Sequence, residues 1–535
     1  MKVSDYIAEL LVQNEIFDIF GIPGVGCGHF MNSVSKTKIT SHLVYNEQGA
    51  AFAACGYAQS SGKVGFAYST AGPGGTNLIT GIANAFADSI PTVFMVGEKD
   101  LTELRGELKV RQKASQEVDI VNVCKPITKW SVQIKSKEEV RYIFEKAFYL
   151  AKYGRPGPVL IDFPSDIARS EIDPDSLIGF IPPKKKSLSK GLKLLIDSLN
   201  SSRKPLFLSG NGVKQTGLTQ IIKDIASSLS IPVVSTLVSF DSFDGFNNYI
   251  GFIGMDGDSA ANKLVAECDL LITFGARLNF KQIGYVRNNF AKNAKIIRID
   301  ADKNELEYEL GKELKICCDL RLLLPSLIKL TGEVQTNNRD WLNYSIDCKN
   351  ESSKKPSLNP VGDKFMAAIS SGFPEDTSIV VDVGSHRRWL MSQIVFKNGQ
   401  RFYQSAGLAS MGYALPSAIG IHFATRKKVI CVDGDGGVMM NLQELQLVKR
   451  EHIPLTLFIF NNHALGDIME FQKKVFDKNY FTTTESSGYL AANYEGIAKA
   501  FDFAYQRVTC LEDISKINYN NDYPQLIEVT VPSNE

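Results

Sequence analysis

The sequence predicts an α/β protein made of three doubly wound parallel-sheet domains. Its 535 residues exceed the usual size of one domain, and 44% of them are hydrophobic, which is enough for several cores. The apolar runs Val429–Val432 and Leu455–Phe460 are typical of buried parallel strands, and the stretch Leu442–Val448 between them has the spacing of an amphipathic helix. We therefore expect strands that alternate with helices, a pattern that favours open parallel sheets.

The balance of charge and the apolar runs exclude some classes of protein. Lysine and arginine number 59 against 58 aspartate and glutamate residues, so the net charge of +1 argues against a protein that binds nucleic acid. No apolar run is long enough for a membrane span, and the start of the chain has the pattern of an amphipathic helix rather than a signal peptide. A cytoplasmic protein is expected. The nine cysteines include no CxxC pair and are expected to be reduced, buried thiols.

Two polar stretches mark the predicted boundaries between domains. The basic run Lys184–Lys186 follows two prolines, as a linker would, and Thr336–Pro360 is poor in apolar residues. The predicted domains are residues 1–172, 188–335 and 358–535. No internal repeat is visible in the sequence.

An acidic, glycine-rich turn, Gly434-Asp435-Gly436, follows the first of the two strands, and Asn461-Asn462 follows the second. Because the carboxyl ends of parallel strands meet at one edge of a sheet, the two segments converge on one site. Glycines let backbone N–H groups approach a phosphate, while the Asp435 carboxylate, the Asn462 side-chain carbonyl and a backbone carbonyl just beyond it suit a hard divalent cation. A surface turn would explain the glycines alone. With the asparagine pair, the pattern predicts a clamp for a metal-bound diphosphate.

This pattern resembles the GDG…NN signature of thiamine diphosphate-dependent enzymes. The segment VYNEQGAAFAACGYAQSSG, from Val44 to Gly62, resembles the part of that family in which a glutamate hydrogen-bonds the aminopyrimidine ring of the cofactor, and Glu47 takes that position. The resemblance implies that Glu47 is catalytic, because a carboxyl group on the ring nitrogen favours the tautomer that removes the thiazolium C2 proton. The alternative is an acid that only stabilises the start of a helix over Gly49–Ala58.

Almost the whole chain resembles the large catalytic subunit of acetolactate synthases. The segments that carry the likeness are Phe20–Gly26, Ser69–Pro91, Arg111–Val121, Gly154–Ile167 and Ser405–Gly420. The resemblance implies thiamine diphosphate and Mg²⁺ as cofactors. The implied catalytic residues are Glu47 and Gln116; the implied metal ligands are Asp435, Asn462 and Ala464; the implied cofactor-binding residues are Gly24, Glu47, Pro73, Asn77, Met411, Gly434, Asp435, Gly436, Asn462, Leu465 and Gly466. Met411 matches a methionine that lies beneath the bent cofactor in this family, whereas most methionines only fill gaps in a core.

Three departures from the family pattern alter the acceptor pocket. Asp467 replaces an apolar residue, Phe471 replaces a tryptophan, and Ser115 replaces the phenylalanine that precedes Gln116. Pocket contacts of this kind are each worth about 1–3 kcal/mol, which is enough to change the choice of acceptor.

The resemblance implies a decarboxylating carboligase. Such an enzyme acts on a 2-oxo acid, here first of all pyruvate, and transfers the acyl-anion unit to a carbonyl acceptor, so that pyruvate as acceptor gives 2-acetolactate. The alternatives are a 2-oxo acid decarboxylase or lyase, transfer to a keto-sugar or another ketone, and a thiamine diphosphate-binding paralogue without catalysis. Intact Glu47, Asp435 and Asn462 disfavour the paralogue.

The middle of the chain raises the question of FAD as a second cofactor. The segments Gly251–Gly257 and Cys268–Asn279 resemble the flavin-binding segments of acetolactate synthases, and Arg277 matches. Asn279–Lys281, however, stand where the family has an acidic pair followed by arginine. A spacer domain without flavin is the alternative. The resemblance also implies an active site shared between subunits, which predicts a homodimer or a dimer of dimers; it gives no regulatory subunit.

Overall fold

The computed structural model describes residues 1–183, 189–311, 313–352 and 359–532. The chain forms two compact units, one of Met1–Pro183 with Asn359–Glu535 and one of Lys184–Leu358. The first unit contains two six-stranded sheets and the second contains one, and the neighbouring strands of each sheet pair in parallel throughout the described ranges. The predicted class of three doubly wound parallel sheets is therefore confirmed. The residue ranges of the three domains stay predictions, and the basic run Lys184–Lys186 lies outside the described residues.

The first sheet has the strand order β2-β1-β3-β4-β6-β5. Its strands are β1 (Asp18–Gly21), β2 (Thr40–Leu43), β3 (Gly65–Thr70), β4 (Thr92–Glu98), β5 (Trp130–Gln133) and β6 (Val159–Pro164). The helices of this part are α1 (Val3–Gln13), α2 (Gly28–Val34), α3 (Glu47–Ser61), α4 (Pro73–Asn77), α5 (Ile79–Asp88), α6 (Ile120–Cys124), α7 (Val140–Lys152) and α8 (Ser165–Arg169). Strands β4 and β6 are buried along their whole length, as expected where helices cover both faces of a parallel sheet.

The middle unit has the strand order β12-β11-β10-β7-β8-β9, which is the order of a dinucleotide-binding Rossmann fold. Its strands are β7 (Pro205–Ser209), β8 (Val233–Ser235), β9 (Tyr249–Phe252), β10 (Leu270–Phe274), β11 (Lys295–Asp300) and β12 (Glu313–Cys317). Its helices are α9 (Ser189–Ser201), α10 (Asn211–Gln215), α11 (Thr219–Ser228), α12 (Ser259–Glu267), α13 (Phe280–Ile283), α14 (Leu320–Leu327) and α15 (Arg339–Glu351).

The third sheet has the order β14-β13-β15-β16-β18-β17, which repeats the order of the first sheet. Its strands are β13 (Ser378–Val381), β14 (Arg401–Gln404), β15 (Val429–Gly434), β16 (Leu455–Asn461), β17 (Ala504–Val508) and β18 (Gln525–Thr530). Its helices are α16 (Pro360–Ser371), α17 (Ser385–Gln393), α18 (Ala414–Thr425), α19 (Leu445–Arg450), α20 (Gly466–Val475), α21 (Tyr494–Ala500) and α22 (Leu511–Ile514). The two strands expected from their apolar runs, β15 and β16, are direct neighbours, with Val429 opposite Leu455.

Short 3₁₀ turns connect several of these elements. They are Val25–Cys27, Lys125–Ile127, Lys137–Glu139, Pro174–Ser176, Leu237–Phe243, Arg287–Asn289, Glu305–Glu307, Ile328–Glu333, Val438–Met440, Leu442–Glu444 and Glu485–Ser487. The predicted helical stretch between β15 and β16 is thus a 3₁₀ turn followed by α19.

Helices α3 and α18 join the first and third sheets into one core. A Cβ atom on Gly56 would overlap the Ser417 carbonyl oxygen, and one on Gly420 would overlap the Ala53 carbonyl oxygen, so the two backbones are in direct contact. Both helices are buried around most of their circumference, which explains why neither sequence has a polar stripe. The core around them is continuous from Val96 on β4 to β16.

Two further expectations concern cysteines and membranes. All nine cysteines are free and seven of them are buried; Cys317 and Cys510 are exposed, so for these two the expectation of a buried thiol is wrong. Among the described residues no helix is long and apolar enough to cross a membrane.

Candidate active site

The third sheet reverses its strand order between β13 and β15, and ligand crevices of such sheets lie outside the carboxyl ends of the strands at that point. The turn Gly434–Gly436 leaves β15 there, and Asn461-Asn462 ends the adjoining β16. The structure therefore brings the two predicted segments to the same edge of the sheet.

Asp435 is one of three buried acids at this edge, together with Asp382 and Asp433. Its side-chain Oδ1 accepts a hydrogen bond from the backbone N–H of Gly436 at 3.1 Å, whereas Oδ2 is buried without a hydrogen-bond partner. Burial raises the pKa of Asp435 to about 6, and the nearby Tyr489 hydroxyl and backbone N–H groups of Gly436 and Ala464 oppose that rise. A buried carboxyl group with an unpaired oxygen lacks a positive partner, which a bound cation would provide.

Gly436 lies in a crowded position that only glycine fits. A Cβ atom there would be 2.6 Å from Cδ2 of Leu465, 3.7 Å from Cε of Met411 and 3.7 Å from the Tyr489 hydroxyl. Met411 and Leu465 thus lie beside the turn, as the resemblance implies. Met411 is 36% exposed, which argues against the alternative that it fills a gap in the core.

The two asparagines after β16 have different surroundings. Asn461 is buried, and its side chain donates to Glu528 at 2.8 Å and accepts from the backbone N–H of His463 at 3.1 Å, which fixes the turn. Asn462 is half-buried and makes no hydrogen bond among the described residues. A Cβ atom on Gly466 would be 2.8 Å from its Nδ2, so Asn462 lies over the start of α20 with an amide free to bind a ligand.

His386 also belongs to this edge; the sequence places it in a segment near the predicted site but predicts no role for it. It lies on the first turn of α17, and its ring would be 3.1 Å from a Cβ atom on Gly434. His386 is 4% exposed, its Nε2 has no hydrogen-bond partner, and burial lowers its pKa to about 4, so the ring is neutral near pH 7. The signal in the sequence is its position just after the buried strand β13, at a third carboxyl end.

The first sheet places the remaining predicted residues around the switch between β1 and β3. Glu47 is the first residue of α3 and is 7% exposed. Its Oε2 accepts a hydrogen bond from the Asn77 side chain at 2.9 Å, and a Cβ atom on Gly74 would be 3.3 Å from its Oε1. The N-cap of α3 is Asn46, whose side chain accepts from the Gln48 backbone N–H at 2.8 Å. The helix is therefore capped without Glu47.

Gln116, Pro73 and Gly24 lie near the same end of the sheet. Gly72 has a φ of +65°, and a Cβ atom there would be 2.7 Å from the Gln116 carbonyl oxygen, so Gln116 lies against the start of α4, where Pro73 is the first residue. Gln116 itself has a φ of +66°, an uncommon conformation for a residue other than glycine that is often found at functional sites. Gly24 packs on the end of β3, since a Cβ atom there would be 2.6 Å from Cβ of Thr70.

The predicted residues thus form two clusters within the first unit. No hydrogen bond or ion pair among the described residues joins Glu47 to Asp435 or Asn462. The neighbours of Glu47 are instead bonded to the segment after the Asp435 turn: Glu444 accepts from the backbone N–H groups of Tyr45 and Asn46, both at 3.0 Å. Burial raises the pKa of Glu444 to about 7.

Comparison with known proteins bears on both clusters. Family models described as "Thiamine pyrophosphate enzyme, N-terminal TPP binding domain", "central domain" and "C-terminal TPP binding domain" match residues 1–123, 192–327 and 382–529. The chain is 32% identical to an acetolactate synthase large subunit of Lactococcus lactis, an alignment that covers 99% of this chain and 93% of the relative. It is 31% identical to the acetolactate synthase isozyme 2 large subunit of Escherichia coli, over 99% of this chain and 96% of the relative. A chloroplastic acetolactate synthase 1 of Zea mays is 30% identical, over 100% of this chain and 86% of the relative.

This chain belongs to the acetolactate synthase family of thiamine diphosphate-dependent enzymes. The sequence-based recognition is thereby confirmed. The two clusters lie in the segments that match the N-terminal and C-terminal thiamine pyrophosphate-binding models. The unpaired Asp435 oxygen and the crowded glycine turn fit a thiamine diphosphate that is bound through its diphosphate and a cation.

One departure from the acetolactate synthase pattern forms an ion pair in the structure. Asp467, on the first turn of α20, accepts from the Arg388 guanidinium at 2.7 Å and from the Ser385 hydroxyl at 2.6 Å, both on the first turns of α17. The pair joins two helix starts that lie at the carboxyl edge of the third sheet. Phe471, one turn further along α20, is 51% exposed.

Proposed function

We propose that this protein is a decarboxylating carboligase that uses pyruvate as its donor and transfers the two-carbon acyl unit to a carbonyl acceptor, with 2-acetolactate as the product when the acceptor is pyruvate. Relatives named acetolactate synthase, similar over nearly their whole length, support this reaction over a simple decarboxylase or lyase. The observation that carries the proposal is that both clusters of predicted site residues are present, one around Glu47 and one around Asp435. A paralogue without catalysis would not need both.

The cofactor's diphosphate would be bound by the edge of the third sheet. Mg²⁺ would take oxygen ligands from Asp435, the Asn462 side chain and the Ala464 backbone carbonyl, and diphosphate oxygens would complete its shell. Among the described residues no group of three or more histidine, cysteine, aspartate or glutamate side chains could hold a metal, so this site depends on amide, backbone and phosphate oxygens. Gly434 and Gly436 let the backbone approach the diphosphate. Leu465 and Gly466 form the wall beside it.

The aminopyrimidine end would be bound by the first cluster. Glu47 would share a proton with the ring nitrogen, and the Asn77 amide, at 2.9 Å, holds the carboxylate in one orientation. Gly24 and Pro73 would line the ring, Met411 would support its bend, and Gln116 would place a polar group near the substrate. When bound, the cofactor would supply a carbon acid whose deprotonated form is the nucleophile for the 2-oxo carbonyl, and a ring that takes up the electron pair left by CO₂.

FAD is a separate part of the proposal, located in the middle unit. The support is the Rossmann strand order and three buried hydroxyl groups without hydrogen-bond partners, Ser209, Thr236 and Ser239, in or just after β7 and β8. Arg277 is exposed, whereas Asn279 uses its side chain to cap α13 through the Lys281 N–H. The visible spectrum of the purified protein decides this: absorbance of a bound flavin supports FAD, and a colourless, fully active protein contradicts it.

One incubation tests the reaction. The purified protein would be given thiamine diphosphate, Mg²⁺ and pyruvate, with and without added ketones and keto-sugars, and products would be identified by mass. We expect 2-acetolactate or a mixed carboligation product, together with CO₂. Acetaldehyde as the only product would favour the decarboxylase, and no release of CO₂ would contradict an enzyme of this class. A cytoplasmic location is also part of the proposal.

A further inference from the structure

We propose that Arg388 is a specificity-determining residue that binds an anionic group, carboxylate or phosphate, on the carbonyl acceptor. This inference rests on the proposed carboligase function and adds the chemical class of the second substrate. It starts from the ion pair between Arg388 and Asp467, a residue that departs from the family pattern.

Arg388 lies within reach of the two site segments. Its partner Asp467 follows Gly466, and Gly466 lies between Asn462 and Ser385: a Cβ atom there would be 2.8 Å from the Asn462 Nδ2 and 3.4 Å from the Ser385 Oγ. The preceding residue, Leu465, contacts the turn at Gly436. Arg388 is thus connected to the turn Gly434–Gly436 through Gly466 and Asp467 of α20 and Ser385 of α17. This is the edge where the substrate must approach the cofactor.

The guanidinium of Arg388 is only partly used by the protein. One terminal nitrogen donates to Asp467 at 2.7 Å and approaches the Ser385 hydroxyl at 3.4 Å, while its other terminal nitrogen and Nε have no partner among the described residues. The side chain is 37% exposed. Its remaining N–H groups form a planar donor edge of the kind that binds a carboxylate or a phosphate through two parallel hydrogen bonds.

A gain in folding stability does not by itself explain why Arg388 and Asp467 form an ion pair. Ion pairs that are exposed to this degree contribute little to the free energy of unfolding, because water screens them and both side chains lose freedom. Asp467 and Ser385 do, however, hold one end of the guanidinium and so fix its orientation before the ligand arrives. Asp467 also lies one helical turn from the half-exposed Phe471, which presents an apolar surface beside the charged one.

The test compares acceptors with and without an anionic group, with pyruvate as donor throughout. The acceptors would be 2-oxobutyrate, a nucleotide-linked or phosphorylated keto-sugar, and neutral acetaldehyde; the variants would be Arg388→Gln and Arg388→Lys. We expect Arg388→Gln to raise the KM for the anionic acceptor by about 10- to 100-fold and to leave the KM for acetaldehyde nearly unchanged. Arg388→Lys, which keeps the charge but not the planar edge, should restore only part of the loss.

The controls separate this inference from the proposed function and from folding. Arg141→Gln is the matched control, because Arg141 is 38% exposed and pairs with Glu145 at 2.9 Å in a part of the chain outside both clusters. Release of the first CO₂ from pyruvate in a single turnover, which precedes acceptor binding, should be similar in all variants, and its absence in the wild-type protein would contradict the carboligase itself. A rise in KM for 2-oxobutyrate alone assigns the anionic group as carboxylate, and a rise in KM for the sugar alone assigns it as phosphate. An equal loss for acetaldehyde, or no loss for any acceptor, would overturn the role of Arg388.

Discussion

At the scale of one residue, Glu47 is a buried acid at the start of a helix that another residue caps. Asn46 already caps α3, and the Glu47 carboxylate is buried and bonded to Asn77 at 2.9 Å. A buried acid that its helix does not need is well suited to proton transfer with a ligand.

Replacement of Glu47 by glutamine separates binding from proton transfer. Glutamine keeps the size and the bond to Asn77 but shares no proton with the ring, so kcat should fall by orders of magnitude while cofactor affinity changes much less. NMR exchange of the C2 proton of bound cofactor would be measured beside the melting temperature. Asp340→Asn, at an exposed first-turn acid of α15, is the control for a helix-dipole effect of about 1 kcal/mol or less. Exchange at the wild-type rate with a lowered melting temperature would leave Glu47 as a structural acid.

Removal of the Asp435 side chain should weaken Mg²⁺ and cofactor retention together. The carboxylate is the one charged ligand of the proposed site, so calorimetry of Asp435→Ala should show both affinities reduced by about 10-fold or more. The protein without cofactor should be as stable as the wild type or more stable, because an unpaired buried oxygen is removed. Unchanged binding of both ligands would show that the clamp lies elsewhere.

A buried acid of the first sheet predicts a pH dependence of stability. Burial, and then the neighbouring Glu98 carboxylate, raise the pKa of Asp162 from 3.8 to about 8. The folded state therefore binds this proton more tightly than the unfolded state, and the free energy of unfolding should fall as the pH rises through that interval. The free energy of unfolding of Asp162→Asn, taken relative to that of the wild type, should therefore rise by about 2–5 kcal/mol between pH 4 and pH 8. Thermal melts at both pH values would test it, and a stability difference that does not vary with pH would refute it.

Single residues also show which parts of the candidate site can be predicted from the sequence. Asp435 and Asn462 could be predicted because they follow two apolar strands, and Glu47 could be predicted because its segment resembles one of the family. His386 could be placed only in a segment near the site, and Glu444 could not be predicted at all, because burial and unpaired or distant partners are not encoded by a local pattern. The Arg388–Asp467 pair joins residues that are far apart in the chain, so the sequence revealed only that Asp467 was unusual.

At the scale of the element, helices α3 and α18 join the two sheets of the first unit into one core. Alanine- and glycine-rich segments permit their backbones to touch, and the same composition removed the periodic signal that would have predicted which faces are buried. The strands were easier to predict, since β15 and β16 are continuous apolar runs. Their neighbours in the sheet were not predictable, because strand order depends on contacts between distant segments.

A methyl group at the contact of these helices tests the close packing. Gly420→Ala would gain about 1 kcal/mol in helix propensity, but its Cβ would overlap the Ala53 carbonyl oxygen and force the helices apart, for a net loss of about 1–3 kcal/mol. The matched control is Gly28→Ala at the start of α2, where a Cβ atom meets nothing within 4 Å. Denaturant unfolding of both variants gives the comparison. Equal stability of the two would show that α18 is not fixed against α3 as described.

At the scale of the whole molecule, the first and third sheets share one strand order. The first sheet supplies Glu47 and the third supplies Asp435, each at the point where its own order reverses. The repeat is absent from the sequence because a parallel strand requires only an apolar run and suitable ends, which many different residues provide. No hydrogen bond or ion pair among the described residues joins Glu47 directly to Asp435 or Asn462.

A homodimer with shared sites makes a quantitative prediction for mixed subunits. Glu47→Gln and Asp435→Ala should each be nearly inactive alone, but a mixed dimer contains one site with both native residues. Equal co-expression should therefore restore about one quarter of the wild-type sites, since half the dimers are mixed and half of their sites are intact. The control is wild type co-expressed with the double variant, which should retain about one quarter of the sites if they are shared and about one half if each site lies within one chain. An inactive mixture of the single variants, or an active monomer by light scattering, would place the whole site in a single chain.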